Sequence, residues 1–391
     1  MKKVGIVALS DRLGGGVFQY AISLIEALDV SSNTNPPGIT YVIFTYNTQT
    51  VFDHLPVEIR KLTPRKQNIM LGLIRLFCLI FNIRSPLFFS EDESNLFSDI
   101  DLFISPTVFA YPHFYLNKPF VVTLHDMQER YFPGFFNLKD RLARRILNRA
   151  LSRNAELILC ESDFVKADIN RFLNVGMESI YVLPAPPANR FLSFSADAKR
   201  QDEVTRKYKL PREYLFYPAQ FWPHKNHLKL LEAVSLVRKK FPNLSLVLVG
   251  AKQSNYQLVR DRISQLSLVD VVSYLGYIDI EDLPYVYKMA KMLVMPSLFE
   301  SISIPVYEAF LLKVPVCASN VTAIPQQVGT AGVLFDPNDA VEMANKIELV
   351  LTNTVLAQSI VESGSQVISK FTHNQFSSGL KNAIEIVLKR I

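Results

Sequence analysis

Short apolar runs alternate with longer amphipathic stretches along most of the chain. The short runs are almost continuously apolar, as expected of parallel strands that are buried on both faces. They cover residues 4–9, 41–46, 102–105, 120–124, 157–160, 214–218, 244–250, 271–275, 292–296 and 316–319. Helical patterns lie between successive runs, so the sequence predicts doubly wound parallel sheets of the α/β class.

A polar, charged stretch at residues 193–211 separates two halves of similar layout. Each half begins with a strand, a loop and a helix. We therefore predict one domain over residues 1–195 and a second over 196–375, with an amphipathic helix at 376–391 that packs against either half. Ligands of open parallel sheets bind beyond the carboxyl ends of the strands, which directs attention to the loops there.

Composition narrows the class of protein. The chain has 391 residues and 49% hydrophobic content, which is enough for two cores. Its three cysteines are scattered and form no CxxC pair, which is typical of a reducing cytosol. No run reaches the roughly 18–20 apolar residues that span a bilayer. The net charge of +6 predicts an anionic partner, and nucleotide phosphates or an anionic membrane surface fit better than nucleic acid, for which no motif is present.

Three glycines, Gly14, Gly15 and Gly16, follow the first predicted strand and precede a helix. Glycine lets a backbone approach an anion closely at a helix N-terminus, so Gly15 and Gly16 are candidates for a phosphate or acceptor loop. A tight strand-to-helix turn is the alternative. The dinucleotide pattern GxGxxG fails because Gln19 stands at its third glycine, which disfavours a nicotinamide dehydrogenase.

The segment SLFESISIPVYEAF, residues 297–310, combines a loop with a helix start. Pro305 suits the first turn of a helix and Ser303 suits its N-cap. Unpaired N–H groups at such a start form an anion site, here contributed by Ser301, Ile302, Ser303 and Ile304. Glu300 and Glu308 are candidate ligands for sugar hydroxyls, although Glu308 is also explained as an ordinary carboxylate at a helix start.

Glu300 and Glu308, with seven residues between them, resemble the E-x7-E motif of the family 4 retaining glycosyltransferases. Pro305 and Ala309 match the same motif, and Pro315-Val316, Pro325, Gly329, Gly332, Phe335 and Pro337 match the text that follows it. The chain departs from the family at Ser301 and Ser303, where the motif has glycines. The resemblance implies the GT-B fold, with two Rossmann-like domains that face a cleft, an acceptor domain first and a donor domain second.

The resemblance also implies a reaction. A hexose would pass, with retention, from a nucleotide-sugar to a glycan or polyprenyl-linked acceptor in surface polysaccharide synthesis. Glu300 would contact the donor sugar, Glu308 the ribose, and residues 301–304 the diphosphate. Gly250, Gly276 and Tyr277 would complete the donor contacts. Likeness to mannosyltransferases around residues 216–227 favours GDP-mannose as donor. Two alternatives stay open: a nucleotide-sugar epimerase on the same fold, and a non-catalytic relative.

The stretch FYPAQFWPHKNH, residues 216–227, follows a predicted strand. Lys225 matches the family lysine that binds the diphosphate, whereas Gln220 stands where the family has arginine. An exposed loop lysine is the alternative reading. Asn226 suits the N-cap of the next helix. His224 and His227 make a poor metal pair, because no carboxylate or cysteine ligand lies near them in sequence.

The stretch VVTLHDMQERYF, residues 121–132, places His125 and Asp126 after another strand. It resembles the family's T-x-H-D turn, whose histidine contacts the donor sugar, and this role is assigned to His125. Asp126 is assigned to the acceptor or phosphate loop, or else it caps the next helix. Asp99 and Asp101 spell a DxD pattern, but they precede a strand. We interpret them as solvated charge and predict neither a metal nor a cofactor.

Two stretches suggest contact with a membrane. Residues 69–81 are very apolar, with Arg75 inside, and either lie in a bilayer interface or form a buried helix. Arg141, Arg145, Arg149 and Arg153 recur every four residues, with Arg144 beside them. This stripe suits anionic lipid or a polyprenyl diphosphate, or is merely solvated. The predicted location is the cytoplasm, with peripheral contact at the inner face of the plasma membrane.

Overall fold

A computed structural model describes residues 2–9, 16–28, 38–46, 52–53, 55–62, 69–84, 91–109, 114 and 118–391. The chain divides into two compact units, each with its own parallel sheet and core. Unit 1 comprises Met1–Ala185 and His373–Ile391, and unit 2 comprises Pro186–Thr372.

Within the described residues, unit 1 contains a seven-stranded sheet in the order β3-β2-β1-β4-β5-β6-β7. Its strands are β1 (Lys2–Val7), β2 (Ile39–Tyr46), β3 (Glu58–Leu62), β4 (Leu102–Ser105), β5 (Phe120–Thr123), β6 (Leu157–Cys160) and β7 (Ile180–Val182). All its strand pairs are parallel, with Val4 opposite Tyr41 on one side and Leu102 on the other. The helices between them are α1 (Gly16–Ala27), α2 (Ile69–Ile80), α3 (Glu91–Phe97), α4 (Gln128–Tyr131), α5 (Leu138–Asn154) and α6 (Asp163–Leu173).

Unit 2 contains a six-stranded parallel sheet in the order β10-β9-β8-β11-β12-β13, as far as the chain is described. Its strands are β8 (Tyr214–Pro218), β9 (Ser245–Val249), β10 (Val272–Tyr274), β11 (Met292–Met295), β12 (Val316–Ser319) and β13 (Val333–Phe335). Its helices are α7 (Asn189–Leu192), α8 (Ala198–Tyr208), α9 (His227–Val237), α10 (Tyr256–Gln265), α11 (Leu283–Met289), α12 (Ile304–Leu311), α13 (Ile324–Val328), α14 (Ala340–Thr352) and α15 (Thr354–Ile368). The predicted α/β class and the doubly wound parallel sheets are confirmed.

The polar stretch at 193–211 is not a linker between the units. Most of it forms α8, which belongs to unit 2. Arg200 Nη2 and Lys207 Nζ lie 2.6 Å and 2.7 Å from the two carboxylate oxygens of Asp282, whose side chain is fully buried. The charges that suggested a boundary therefore pair with a buried acid of the same unit. The structure divides the chain at Ala185, ahead of the predicted boundary at residue 195.

The last helix, α16 (His373–Leu388), belongs to unit 1 although unit 2 precedes it in the chain. It buries Phe376, Leu380 and Ile384, and the ring of Phe376 lies 6.2 Å from that of Tyr20 on α1. The amphipathic pattern at the end of the chain thus completes the core of the first unit.

The apolar helix α2 is largely exposed. Cys78 is its only buried residue among those described, whereas Ile69 is 84% and Leu73 63% exposed. The interpretation of residues 69–81 as a buried helix is therefore wrong. The Asn82 side chain, just after α2, accepts a 2.6 Å hydrogen bond from Asn154 at the end of α5. No helix in the described part of the chain is long and apolar enough to cross a membrane.

Candidate functional site

Lys225 and Glu300 meet at the carboxyl ends of two adjacent strands of unit 2. Lys225 ends a short 3-10 turn after β8, and Glu300 lies in the loop after β11, which pairs with β8. Lys225 Nζ donates a 2.6 Å hydrogen bond to Glu300 Oε1, and the two side chains are only 20% and 9% exposed. Sequence reasoning selected both residues, and the structure places them in one ion pair.

Two residues that sequence reasoning missed hold this pair in place. Tyr217 Oη, at the end of β8, donates a 2.8 Å hydrogen bond to the carbonyl of Lys225. Thr322 Oγ1 accepts a 3.0 Å bond from the N–H of Glu300 and donates a 2.8 Å bond to its carbonyl. Both lie at or beyond strand carboxyl ends, which was the available signal. Tyr217 lies within the stretch 216–227 but matches no motif position there, and Thr322 belongs to no motif.

The start of α12 follows the prediction only in part. Pro305 lies in the first turn and Ser303 at the N-cap position, but the Ser303 side chain makes no capping bond. The Ser303 N–H donates a 2.8 Å hydrogen bond to Gln327 Oε1, and Gln327 Nε2 donates a 2.7 Å bond to the Ser303 carbonyl. An anion held by residues 301–304 would therefore compete with Gln327 for the Ser303 N–H.

Glu308 is not an ordinary surface carboxylate at a helix start. It lies beyond the first turn of α12 and is 7% exposed. Tyr287 Oη donates a 2.5 Å hydrogen bond to its Oε2. Burial raises the pKa of Glu308 to about 7, against the opposing effects of Tyr287 and Arg190. This carboxyl therefore titrates near neutral pH.

Gln220 and Asn226 differ from their expected surroundings. Gln220 Oε1 accepts hydrogen bonds from Trp222 Nε1 at 2.9 Å and from Gln253 Nε2 at 3.3 Å. Asn226 has the left-handed φ of +56° and does not cap α9 with its side chain. Instead its Nδ2 donates to the carbonyls of Pro296 at 3.0 Å and Pro337 at 2.8 Å. Asn226, the predicted N-cap of α9, thus links three loops through hydrogen bonds.

The two histidines beside Lys225 are part of the packing. His227 is buried and its ring stacks on Phe221 with 4.4 Å between centroids. Burial, together with the neighbouring charge of Lys225, lowers the pKa of both His224 and His227 to about 3. No group of three or more His, Cys, Asp or Glu side chains suited to a metal occurs among the described residues.

Gly250, Gly276 and Tyr277 form a second loop region of unit 2. Gly250 has a φ of +144°, and a Cβ on it would lie 2.4 Å from the Ala219 carbonyl oxygen. Its N–H donates a 3.0 Å bond to the Gly276 carbonyl, while Tyr277 is 63% exposed. Gly250 thus lets the loop after β9 approach the loop that carries Gln220.

His125 in unit 1 lies between two acceptors. Its Nε2 is 3.0 Å from the Pro106 carbonyl oxygen, and its Nδ1 is 3.3 Å from Glu161 Oε2. Burial alone would lower the pKa of His125, but the charges of Glu161 and Asp126 and the hydrogen bonds to Glu161 and Pro106 outweigh it and raise the pKa. Both ring nitrogens can donate only in the imidazolium form, so the surroundings favour that form.

Asp126 is held by Arg144, which lies beside the predicted arginine stripe. Its Oδ1 accepts a 3.1 Å bond from the N–H of Gln128, the first residue of α4, and another from Arg144 Nη2. Arg144 Nε also donates a 3.1 Å bond to Glu129 Oε2. Arg144, beside the basic stripe, therefore supports the loop after β5.

The remaining candidates are two glycines and two aspartates of unit 1. Gly15 lies outside the described residues, and Gly16 begins α1 with nothing within 4 Å of a Cβ placed on it. Asp99 and Asp101 precede β4 at its amino end, as predicted. Asp99 lies 2.6 Å from both Lys3 Nζ and Arg60 Nη1, and the bond from Arg60 is the main reason that its pKa is far below its usual range.

Two Rossmann-like parallel-sheet units, with charged residues at the strand carboxyl ends, define the GT-B class of glycosyltransferase folds. Residues 14–186 match the family described as Glycosyltransferase Family 4. Residues 199–367 match the family described as Glycosyl transferases group 1. The chain therefore belongs to the group 1, family 4 glycosyltransferases, as the E-x7-E resemblance predicted.

Curated relatives include enzymes of polysaccharide synthesis. The O-antigen chain mannosyltransferase B of Escherichia coli is 33% identical over 239 residues, which are 58% of this chain and 61% of that protein. The serotype-specific mannosyltransferase WbdA of Escherichia coli is 23% identical over 261 residues, or 64% of this chain and 31% of that protein. The match thus spans less than two thirds of the length of either relative.

Solved structures share the fold. Sucrose-phosphate synthase from Thermosynechococcus elongatus aligns with a TM-score of 0.79 at 19% identity, over 100% of both chains. HepE from Anabaena, solved in complex with UDP and glucose, aligns with a TM-score of 0.76 at 18% identity, over 100% of both chains. At these identities the likeness concerns the fold.

Proposed function

We propose that this chain is a retaining glycosyltransferase that moves a hexose from a nucleotide-diphosphate sugar to a glycan or polyprenyl-linked acceptor. The observation that carries the proposal is the Lys225–Glu300 ion pair, 2.6 Å long and mostly buried, at the carboxyl ends of β8 and β11. An enclosed cation next to a helix start suits a leaving diphosphate. A largely buried carboxylate can accept hydrogen bonds from the hydroxyls of a sugar.

The proposed step separates the two partners. Lys225 would exchange Glu300 for the diphosphate and stabilise its developing charge. Glu300 would then accept hydrogen bonds from the donor sugar, and Glu308 from the ribose. His125 would contact the transferred sugar, and its hydrogen bond to the Pro106 carbonyl would break when it does so. The proposal includes no metal, because Lys225 and the N-terminus of α12 supply the positive charge.

GDP-mannose is the proposed donor, and a surface polysaccharide is the proposed product. The mannosyltransferase names of the Escherichia coli relatives support both. The GT-B fold is also shared with HepE, which was solved with UDP, so the base is the part of the proposal that experiment should address first.

Peripheral contact with a membrane is part of the same proposal. Large apolar side chains on and after α2 are exposed: Ile69, Met70, Leu73, Ile74, Phe77, Ile80 and Phe81. A helix with such a face lies stably in the interface of a bilayer. Contact at the inner face of the plasma membrane would bring the enzyme to lipid-linked acceptors.

The test begins with a thermal-shift screen of nucleotide-sugars, in which a ligand at 100 times its Kd stabilises by roughly 2.7 kcal/mol. The hits are then incubated with and without mannose-containing glycans, and products are analysed by chromatography and NMR. We expect GDP-mannose to stabilise the protein and an α-linked product to form. An epimerised donor without acceptor would favour the epimerase, and binding without turnover across acceptors would favour a non-catalytic relative.

A further inference from the structure

Unit 1 contains a groove lined by arginines that the proposed reaction does not use. It has a volume of about 470 Å³ and lies between α4, α5 and α6. The groove is lined by Arg130, Arg145, Ile146, Arg149, Arg153, Phe172, Leu173 and Asn174. Helix α5 begins at the cap Asn137, whose side chain accepts a 2.8 Å bond from the Asp140 N–H. The four-residue spacing then brings three of its arginines onto one face.

The charges in this groove are largely unbalanced. Within the described part of the chain, the side chains of Arg145, Arg149 and Arg153 take part in no hydrogen bond or ion pair. Arg130 Nε is 3.8 Å from Glu129 Oε1, which is beyond hydrogen-bonding distance. Arg144, on the same helix, shows the contrast, since its guanidinium contacts both Asp126 and Glu129.

Two of the arginines are also partly withdrawn from water. The Nε atoms of Arg130 and Arg145 are buried without a hydrogen-bond partner among the described residues. Burial, and then the charge of Arg145, lowers the pKa of Arg130 against the opposing effect of Glu129. An anion between these guanidinium groups would remove the repulsion and satisfy their donors.

We propose that the groove binds a phosphate or diphosphate group. The guanidinium fork matches phosphate oxygens in shape and charge, and four such groups surround one concave space. Ile146, Phe172 and Leu173 supply an apolar wall beside the charges, which suits a phosphate that is attached to an aliphatic chain. This inference does not rest on the proposed glycosyl transfer, whose donor residues are in unit 2.

The first experiment titrates inorganic pyrophosphate into the full-length protein by calorimetry. We compare the wild type with the double variant Arg145→Ala/Arg149→Ala and with a control, Lys139→Ala/Arg141→Ala, which removes the same charge from α5 outside the groove. We expect the groove variant to bind at least ~10-fold more weakly, because charge-assisted hydrogen bonds are lost. The control should stay within about twofold, because neither Lys139 nor Arg141 lines the groove.

Three outcomes would overturn the proposal. The wild type would not bind, the groove variant would bind as well as the wild type, or the control would lose as much affinity as the groove variant. The second outcome would place pyrophosphate elsewhere, for example at Lys225. A second variant, Arg149→Ala/Arg153→Ala, changes two exposed side chains and keeps the test valid if the Arg145 variant unfolds.

A second experiment separates the two sources of phosphate. The same proteins are sedimented with phosphatidylcholine vesicles, with and without phosphatidic acid. Binding that requires phosphatidic acid and Arg145/Arg149, and is displaced by pyrophosphate, identifies a lipid phosphate as the ligand. Binding of pyrophosphate without such vesicle binding identifies a soluble phosphate. Vesicle binding that survives in the groove variant, without any binding of pyrophosphate, contradicts the proposal.

Discussion

The loops after β5 and β8 both place a cationic side chain against a carboxylate, but they hold it differently. In unit 2, the Lys225 ammonium reaches Glu300 at 2.6 Å. In unit 1, the His125 ring is held on both sides, by Pro106 and by Glu161. In the proposed reaction, Lys225 therefore has to break a single ion pair to bind a ligand. The histidine is fixed in orientation before any ligand arrives.

His125 in unit 1 and Glu308 in unit 2 are two separate sources of pH dependence. The surroundings of His125 raise its pKa, since the neighbouring carboxylates and hydrogen bonds outweigh burial. Burial raises the pKa of Glu308 in unit 2 to about 7. Each unit therefore contains a group whose pKa is raised, for opposite reasons: a cation is stabilised in unit 1 and an anion is destabilised in unit 2.

The largest effect should come from breaking the lysine pair. We expect Lys225→Ala to reduce kcat by about 10²–10³-fold, the size of effect seen when a group that stabilises transition-state charge is removed. Steady-state rates with the donor found by screening provide the measurement. Lys229→Ala, on the neighbouring helix α9, removes a lysine that pairs with Glu232 and serves as the control.

Lys225→Ala leaves Glu300 buried without its partner, so its Tm is compared with that of Lys225→Ala/Glu300→Gln, in which no buried carboxylate lacks a partner. The comparison measures the stability cost alone, because Glu300 itself is assigned to the donor sugar. Both variants should fold, as judged by thermal unfolding. Wild-type kcat in Lys225→Ala would exclude the assigned role.

A smaller effect is expected from loosening the histidine loop. Arg144→Gln removes the bonds to Asp126 and Glu129 and should lower kcat by up to ~10²-fold through misplacement of the loop. Arg144→Lys should recover part of the rate, because it restores the charge without the two-pronged contact. Arg141→Ala on the same helix is the matched control, and equal losses in both variants would argue against positioning.

The smallest effect concerns stability and pH. Because the folded state raises the pKa of His125, protonation of this ring stabilises the fold. That contribution is complete below the ordinary histidine pKa of about 6.5 and is lost as the pH rises through the higher folded value. The Tm gap between wild type and His125→Gln should thus narrow as the pH rises from 6 to 9.

Differential scanning calorimetry at several pH values measures this gap. Taking the difference from His125→Gln removes the separate contribution of Glu308. A gap that is constant, or that widens with pH, would show that the folded state does not raise the pKa of His125.

The two sheets show how far the apolar pattern reaches. All ten predicted runs are strands, whereas β3, β7 and β13 were missed, and each lies at the edge of its sheet. These three strands are mostly half-buried, with exposure patterns unlike the fully buried central strands. An edge strand is covered less completely, so its sequence need not contain the continuous apolar run of a central strand. The fourth edge strand, β10, is also half-buried but was predicted from the run at residues 271–275.

Sequence patterns likewise revealed only some of the polar residues around the candidate site. Lys225, Glu300 and His125 were found because they follow central strands and match a motif. Thr322 and Gln327 were missed because hydrogen bonds between loops leave no periodic signal. Helix α8 was mistaken for a boundary because its charges looked solvated, although Arg200 and Lys207 pair with the buried Asp282.

By itself, the sequence determined the class of fold, the family and the residues of the candidate site, because burial on both faces and ligand chemistry restrict residue types locally. Tertiary structure decided which charges are paired. It paired Lys225 with Glu300 and Arg144 with Asp126. It left Arg145, Arg149 and Arg153 around an open groove. The physical reason is that folding brings distant segments together and thereby decides which charges pair. The residue type alone does not determine the partner.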